Sequence, residues 1–158
     1  MNIAYRIGDA TRPEANGPKI LVHVCNDAGG WGRGFVVAIS RRWPQPERRY
    51  RAWHAGKESQ PFALGEVQFV EVEPQLTVAN LIGQHGLATR QRMPPIRYDA
   101  IRSGLRRVSE ISLAASASVH MPRIGCGLAG GRWKEIEPII LAELCENGVP
   151  VTVYELGP

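Results

Sequence analysis

The chain of 158 residues is poor in several things that define large protein classes. No apolar run approaches the roughly 20 residues a membrane-spanning helix requires, so no membrane partner is expected. The opening MNIAYRIGDA lacks the charged and apolar regions of a signal peptide. Cysteine is scarce: Cys25, Cys126 and Cys145 are odd in number and form no CxxC, which excludes a disulfide framework. Reduced thiols in a cytoplasmic protein are the expectation. These cysteines and the four histidines lack metal-ligand spacing, so neither a metal nor another cofactor is expected. Aromatic residues make up only 7% and do not alternate with arginines, which argues against a base-stacking platform. Lysine is nearly missing, with three against sixteen arginines.

What is present points to one ordinary globular domain over residues 1–158, with 44% hydrophobic and 22% charged residues. A chain of this size buries roughly 68–70% of its unfolded surface, enough for a core without staples. The arginines gather in two clusters, Arg41, Arg42, Arg48, Arg49, Arg51 and Arg90, Arg92, Arg97, Arg102, Arg106, Arg107. Guanidinium groups grip phosphate bidentately, so an anionic partner is one reading and solvated helix faces the other. A net charge of +4 is mild for a nucleic-acid binder, and nucleic acid is not expected as a partner in itself.

Hydrophobic periodicity sets out the elements. Ile3, Tyr5 and Ile7 alternate with polar neighbours, which predicts a half-buried strand, and residues 19–24 read as an inner one. A helix is predicted from residue 34 to about 42, with Phe35, Val36 and Ile39 on one side. Trp43-Pro44-Gln45-Pro46 breaks it, and a basic helix follows to His54. Residues 67–72 and 76–82 read as strands joined around Pro74. Ile101, Leu105, Val108 and Ser112 form one stripe of a helix over 98–116, and 118–121 is a strand. Trp133, Ile136, Ile140, Leu141 and Leu144 mark a last helix stopped at Asn147-Gly148, before a closing strand over 149–156. This alternation predicts an α/β fold, a three-layer α/β/α sandwich around a mixed central sheet. Ligands in such folds sit at the C-terminal ends of inner strands.

Two glycine-rich loops fit that address. The early one runs Cys25, Asn26, Asp27, Ala28, Gly29, Gly30, Trp31, Gly32, Arg33, Gly34; the late one runs Gly125, Cys126, Gly127, Leu128, Ala129, Gly130, Gly131. Such loops turn backbone N–H groups toward a ligand and let it approach closely. No Ser, Thr, Asp or Asn caps the helix after the late loop, so its first amides are expected to be free for a phosphate. Two such loops at one end of a sheet favour a diphosphate site over a pair of tight turns. The G-x-G-x-x-G of the late loop comes too late in the chain for a dinucleotide fold, and neither loop is a Walker A.

Other residues keep two readings. Asp9 ends the first strand and either accepts a hydrogen bond from a purine amino group or caps a turn. Asn26 and Asp27 are either a ribose-binding pair or an Asx-turn. His85 reads as a solvated loop histidine, His23 and His120 as core, and Cys126 as filler rather than an activated thiol.

Residues 7–11 (IGDAT), 21–40 (LVHVCNDAGGWGRGFVVAIS) and 117–133 (ASVHMPRIGCGLAGGRW) together resemble a macrodomain, the ADP-ribose-binding α/β/α family. The nearest branch holds the terminal ADP-ribose protein glycohydrolase and the macrodomain of a poly-ADP-ribose-activated chromatin-remodelling helicase. The resemblance implies that Asp9, with Ala10, binds adenine. It implies that the amides of Trp31, Gly32, Arg33 and Gly34 and of Gly125, Cys126, Gly127, Leu128 and Ala129 cradle the two phosphates. Asn26, Asp27 and Gln84 would approach the distal ribose, with Asp27 and Gln84 in the catalytic positions. The essential lysine and aspartate of the glycohydrolase fall at Gln84 and Ala129, so a lysine-linked intermediate is excluded there.

The reaction that remains is hydrolysis of a mono-ADP-ribosyl ester on Glu or Asp of a protein, by a water that the ligand's own diphosphate activates. Mono-ADP-ribosylated proteins are then the expected partners, an ADP-ribosylated nucleic acid a further substrate, and a monomer the expected state. A non-catalytic ADP-ribose reader and an O-acetyl-ADP-ribose deacetylase are the alternatives the same pocket allows.

Overall fold

The computed structural model describes residues 1–87 and 93–157, so Arg90 and Arg92 of the second arginine cluster lie outside the described residues. Strands and helices follow in the order β1 (Ala4–Ile7), β2 (Lys19–Asn26), α1 (Phe35–Arg42), α2 (Gln45–His54), β3 (Val67–Glu73), β4 (Leu76–Gln84), α3 (Tyr98–Ala115), β5 (Ser118–Met121), α4 (Trp133–Glu143) and β6 (Val151–Glu155). The strands form one sheet ordered β1-β6-β5-β2-β4-β3. Neighbours are parallel except β3 and β4, a hairpin that turns at Pro74 and Gln75. The mixed sheet and the helices on both faces agree with the sequence reading.

Successive side chains of a strand point to opposite faces, and β2 shows the consequence. Ile20 and Val22 join Ile101, Leu105, Ile136 and Ile140 in an aliphatic core beneath α3 and α4. Leu21 and Cys25 join Trp31, Ile39, Tyr50 and Trp53 in a core rich in aromatic rings beneath α1 and α2. No helix of the described residues is long and apolar enough to cross a membrane.

Two elements differ from expectation. β1 is an edge strand whose Tyr5 and Ile7 are exposed, because it pairs with β6 on one side alone; Tyr5 is met by Trp133 edge-on, by Arg123 over its ring and by Glu137 at its hydroxyl. In α4 the buried stripe runs through Ile136, Ile139 and Ile140, with Leu141 only half-buried. Leu144 follows the helix into a short 3-10 turn, Cys145–Asn147, that ends at Gly148 with φ 82°.

The parallel strands bring their C-terminal ends to one edge of the sheet. The chain leaves β2 toward the α1 face and leaves β5 toward the α4 face. A crevice opens where these connections diverge.

Candidate functional site

A cleft of about 470 Å³ occupies that crevice. Its walls are residues 23–26 of β2, residues 30–36 of the early loop and the first turn of α1, Gln84 at the end of β4 with Leu87 beyond it, and residues 122–125 and 127–129 after β5.

Asn26 shapes the early loop. Its Oδ1 accepts the amides of Ala28 at 2.9 Å and Gly30 at 3.0 Å, and its Nδ2 donates to the Gly30 carbonyl at 2.9 Å. From α2, the Tyr50 hydroxyl reaches the Asn26 carbonyl at 2.6 Å and Oδ1 at 3.0 Å. Burial pushes the Tyr50 phenol up, so it stays a donor. The Asx-turn reading of Asn26 is thus met, and its Oδ1 is spent within the loop and on Tyr50. Trp31 buries its indole and donates from Nε1 to Ser40 Oγ at 2.7 Å. Gly34 opens α1 with φ 85° and no side-chain cap. The free amides of that first turn therefore stand in the cleft wall, where an anion is favoured.

The late loop holds itself by backbone bonds. Gly130 N donates to Gly127 O at 3.0 Å and Gly131 N to Gly125 O at 2.7 Å. Gly125 has φ 74°, and a Cβ there would overlap Ile96 Cδ1. Gly32 and Gly127 have no heavy atom within 4 Å of where a Cβ would stand, so both loops present bare backbone to open space. The loops come close at Leu128, whose Cδ1 lies 3.5 Å from a Cβ built on Gly34. The helix after the late loop has no side-chain cap, as expected, but its first residues do not line the cleft. The Gly130-Gly131 turn carries the chain away, and Arg132 N donates instead to Tyr98 Oη at 3.1 Å. The helix end in the cleft belongs to α1.

At the end of β4 the pairing passes from Cys25↔Ile82 to Asn26↔Gln84 and skips Gly83. Such a bulge re-aims the next side chain, and Gln84 enters the cleft wall with Nε2 on the Gly86 carbonyl at 3.0 Å. Asp27 stands behind this turn. Its Oδ1 accepts Gly86 N and its Oδ2 faces His85 Nδ1, each at 2.7 Å. Burial opposes ionisation of Asp27, but the Gly86 amide and His85 outweigh it and hold the carboxyl below its ordinary range. His85 is exposed yet engaged.

The structure brings Asn26, Trp31, Gly32, Arg33, Gly34, Gln84, Gly125, Gly127, Leu128 and Ala129 to one cleft and leaves Asp9, Ala10, Asp27 and Cys126 outside its lining. Asp9 closes a turn, its Oδ1 accepting Thr11 N at 2.9 Å and Thr11 Oγ1 at 2.7 Å. Ala10 beside it is buried. Burial pushes the Cys126 thiol up, which suits a filler and not a nucleophile. Among the described lining residues the charged side chains are Arg33 and Arg123, and no carboxylate is present. No group of three His, Cys, Asp or Glu among the described residues is placed to share a metal ion.

Comparison with known proteins gives this geometry a context. No family model matches the chain. Over 97% of its length it is 31% identical to the chromodomain-helicase-DNA-binding protein 1-like of Mus musculus, and it spans only 18% of that protein. It is 30% identical to an ADP-ribose 1''-phosphate phosphatase of Chaetomium globosum, with 95% of this chain and 89% of that protein covered. The structure of a macrodomain protein from Streptomyces coelicolor matches it with a TM-score of 0.87 and 55% identity, over 99% of this chain and 100% of the other. The chain is a macrodomain.

Several residues that build the cleft of this macrodomain escape a reading of the sequence. Gly83 left a signal, a glycine directly after the apolar run of residues 76–82. Arg123 left another, since it stands two residues past the end of an inner strand. Tyr50 and Ile96 left none, because their contacts with Asn26 and Gly125 join segments far apart in the chain.

Proposed function

We propose that this macrodomain binds ADP-ribose along the cleft and hydrolyses the ester joining its terminal ribose to a protein Glu or Asp. The observation that carries the reading is two loops of bare backbone facing each other across a cleft whose charged side chains are arginines. The diphosphate would lie between Gly32–Gly34 and Gly125–Ala129 and against the first amides of α1. Adenine would extend past the lining toward Asp9, whose Oδ1 is committed to the turn and whose Oδ2 remains for the amino group.

Chemistry follows from the lack of a carboxylate in the described lining. Water would attack C1'' of the ribose, the bond from C1'' to the ester oxygen would break, and the protein carboxylate would leave with the electron pair. The water's proton would pass to a phosphate oxygen of the ligand. A carboxylate is a fair leaving group, so no strong general acid is required. Gln84 would orient the ribose and the water. Asp27, with both oxygens engaged, would act as a positioning residue that keeps Gln84 and Gly86 in place.

A second reading is dephosphorylation at the same terminal ribose, favoured by the phosphatase that this chain resembles over nearly its full length. The two are separated by incubating the purified chain with Glu/Asp-linked mono-ADP-ribosylated protein and with ADP-ribose 1''-phosphate. Release of ADP-ribose from the first, followed by mass spectrometry, is the expected result. Phosphate release from the second alone would select the other reading. Turnover of neither, with calorimetric binding of ADP-ribose, would make the domain a reader. Absence of binding would remove all three.

A further inference from the structure

Three polar side chains stand abreast in the sheet beneath α2, where apolar ones would pack. His23 on β2, Asn80 on β4 and Gln68 on β3 are register partners and are 1%, 0% and 1% exposed. Their neighbours decide which way each hydrogen bond runs. Gln68 Nε2 donates to the Arg49 carbonyl at 3.0 Å and to the Glu58 carboxylate at 2.9 Å. Both partners only accept, so the orientation of this amide is determined. Gln68 Oε1 then accepts Asn80 Nδ2 at 3.0 Å, whose other hydrogen goes to the Pro46 carbonyl at 3.2 Å. That leaves Asn80 Oδ1 to accept, and it faces His23 Nε2 at 2.5 Å. His23 Nε2 therefore carries the proton.

The consequence reaches the cleft. With its proton on Nε2, His23 keeps Nδ1 as a bare acceptor, and that buried atom has no partner among the described residues. The chain is satisfied from Glu58 inward and open only at its inner end. His23 belongs to the cleft wall, with the rings of Trp31 and Phe35, also lining residues, 5.3 and 6.2 Å from its own. Buried polar atoms are nearly always paired, so an unmet one beside a ligand cleft marks a place for a donor. Burial also lowers the His23 pKa to about 4, so the imidazole is neutral at ordinary pH.

We propose that His23 is a specificity-determining residue of the cleft, its Nδ1, closed to solvent behind the Trp31 and Phe35 rings, accepting a hydrogen bond from an O–H donor that the ligand brings to the inner wall as those rings give way. Gln68 and Glu58 are positioning residues that hold it in this role from the β3 edge of the sheet. The inference rests on the ADP-ribose reading. The donor is either a hydroxyl of the terminal ribose or a water that the bound ligand retains.

The test is imidazole nitrogen NMR on the full chain labelled at histidine, with His23→Gln for assignment. Calorimetry is run in parallel with ADP-ribose and with ADP. In the free protein His23 is expected to hold its proton on Nε2 throughout about pH 5 to 8. Saturation with ADP-ribose shifts the Nδ1 signal as it accepts a bond. A shift with ADP-ribose alone assigns the donor to the terminal ribose, and an equal shift with ADP assigns it to water. A proton on Nδ1 in the free protein, or an unmoved signal at calorimetric saturation, overturns the proposal and leaves the ADP-ribose reading intact. No heat with either ligand removes that reading and the proposed donor with it. Gln68→Leu should give mixed tautomers and ADP-ribose binding weaker by about fivefold, the size of one neutral hydrogen bond. If that variant does not fold, Gln68→Met, of similar length and likewise without the acceptor that orients Asn80, takes its place. An unchanged tautomer and affinity in a folded variant refute the control from outside.

Discussion

In residues 26–34 one asparagine side chain serves two backbone amides and the Tyr50 hydroxyl, while residues 125–131 turn on backbone bonds and on the fit of Gly125 against Ile96. The sheet beneath differs in the same sense. Under α3 and α4 the core is aliphatic, whereas under α1 and α2 it carries aromatic rings and the buried histidines His23 and His120. The early loop therefore depends on polar groups being present and correctly charged. The late loop depends on side chains being absent. Damage to the first should answer to pH and hydrogen bonding, and damage to the second to bulk.

The largest expected effect is acid lability. Burial, chiefly, lowers His23 and His120 each to about 4. An unfolded histidine titrates near 6.5, so between those values the unfolded chain holds protons that the native one does not. Stability is then full above about pH 6.5 and falls as pH drops toward 4, by several kcal/mol in all. Urea unfolding at pH 7 and pH 4.5 measures it; equal midpoints would erase the difference between the two faces.

Next in size is Gly125→Ala, which combines a positive φ with overlap at Ile96. A loss of about 2–4 kcal/mol is expected, and a Tm lower by roughly 5–15 °C in calorimetry. A loss well under 1 kcal/mol would mean that steric fit does not hold the late loop. Asn26→Ala follows, leaving the amides of Ala28 and Gly30 without their acceptor, while the Tyr50 hydroxyl keeps the carbonyl of residue 26. It should cost about 1–3 kcal/mol and weaken ADP-ribose binding at least about tenfold. Unaltered affinity would separate loop shape from binding.

Asp27→Ala should slow ester turnover about 10- to 100-fold by releasing Gly86 and misplacing Gln84. Asp27→Asn, which still accepts from Gly86, should recover most of the rate. If both variants lose it equally, the charge itself acts in the reaction. The smallest effect is expected from Arg48, Arg106 and Arg107 changed together to Gln. Arg106 and Arg107 pair with Glu143 and Glu110 on the surface. ADP-ribose affinity should stay within about twofold.

The sequence alone determined the layered sandwich, because the periods of the strands and of α3 are local properties that survive any arrangement of neighbours. It also marked both glycine loops as the places where ligand and backbone would meet, since glycine content and position after an inner strand are written along the chain. It missed the character of β1 because alternation at Ile3, Tyr5 and Ile7 looks the same in an edge strand as in an inner one. It did not decide which uncapped helix end faces the cleft, since an uncapped N-terminus says nothing about where the chain turns after Gly131. Asp9 and Asn26 kept two readings because an Asx-turn and a ligand contact call for the same residue type. Which groups meet was decided only by tertiary structure. Tyr50 reaches Asn26 from α2, Gly86 closes on Asp27 from the end of β4, and Leu128 approaches Gly34 across the cleft. Each contact joins segments that the sheet order brings together, so its energy depends on the pairing of β2 with both β4 and β5. No local pattern in the chain encodes that pairing.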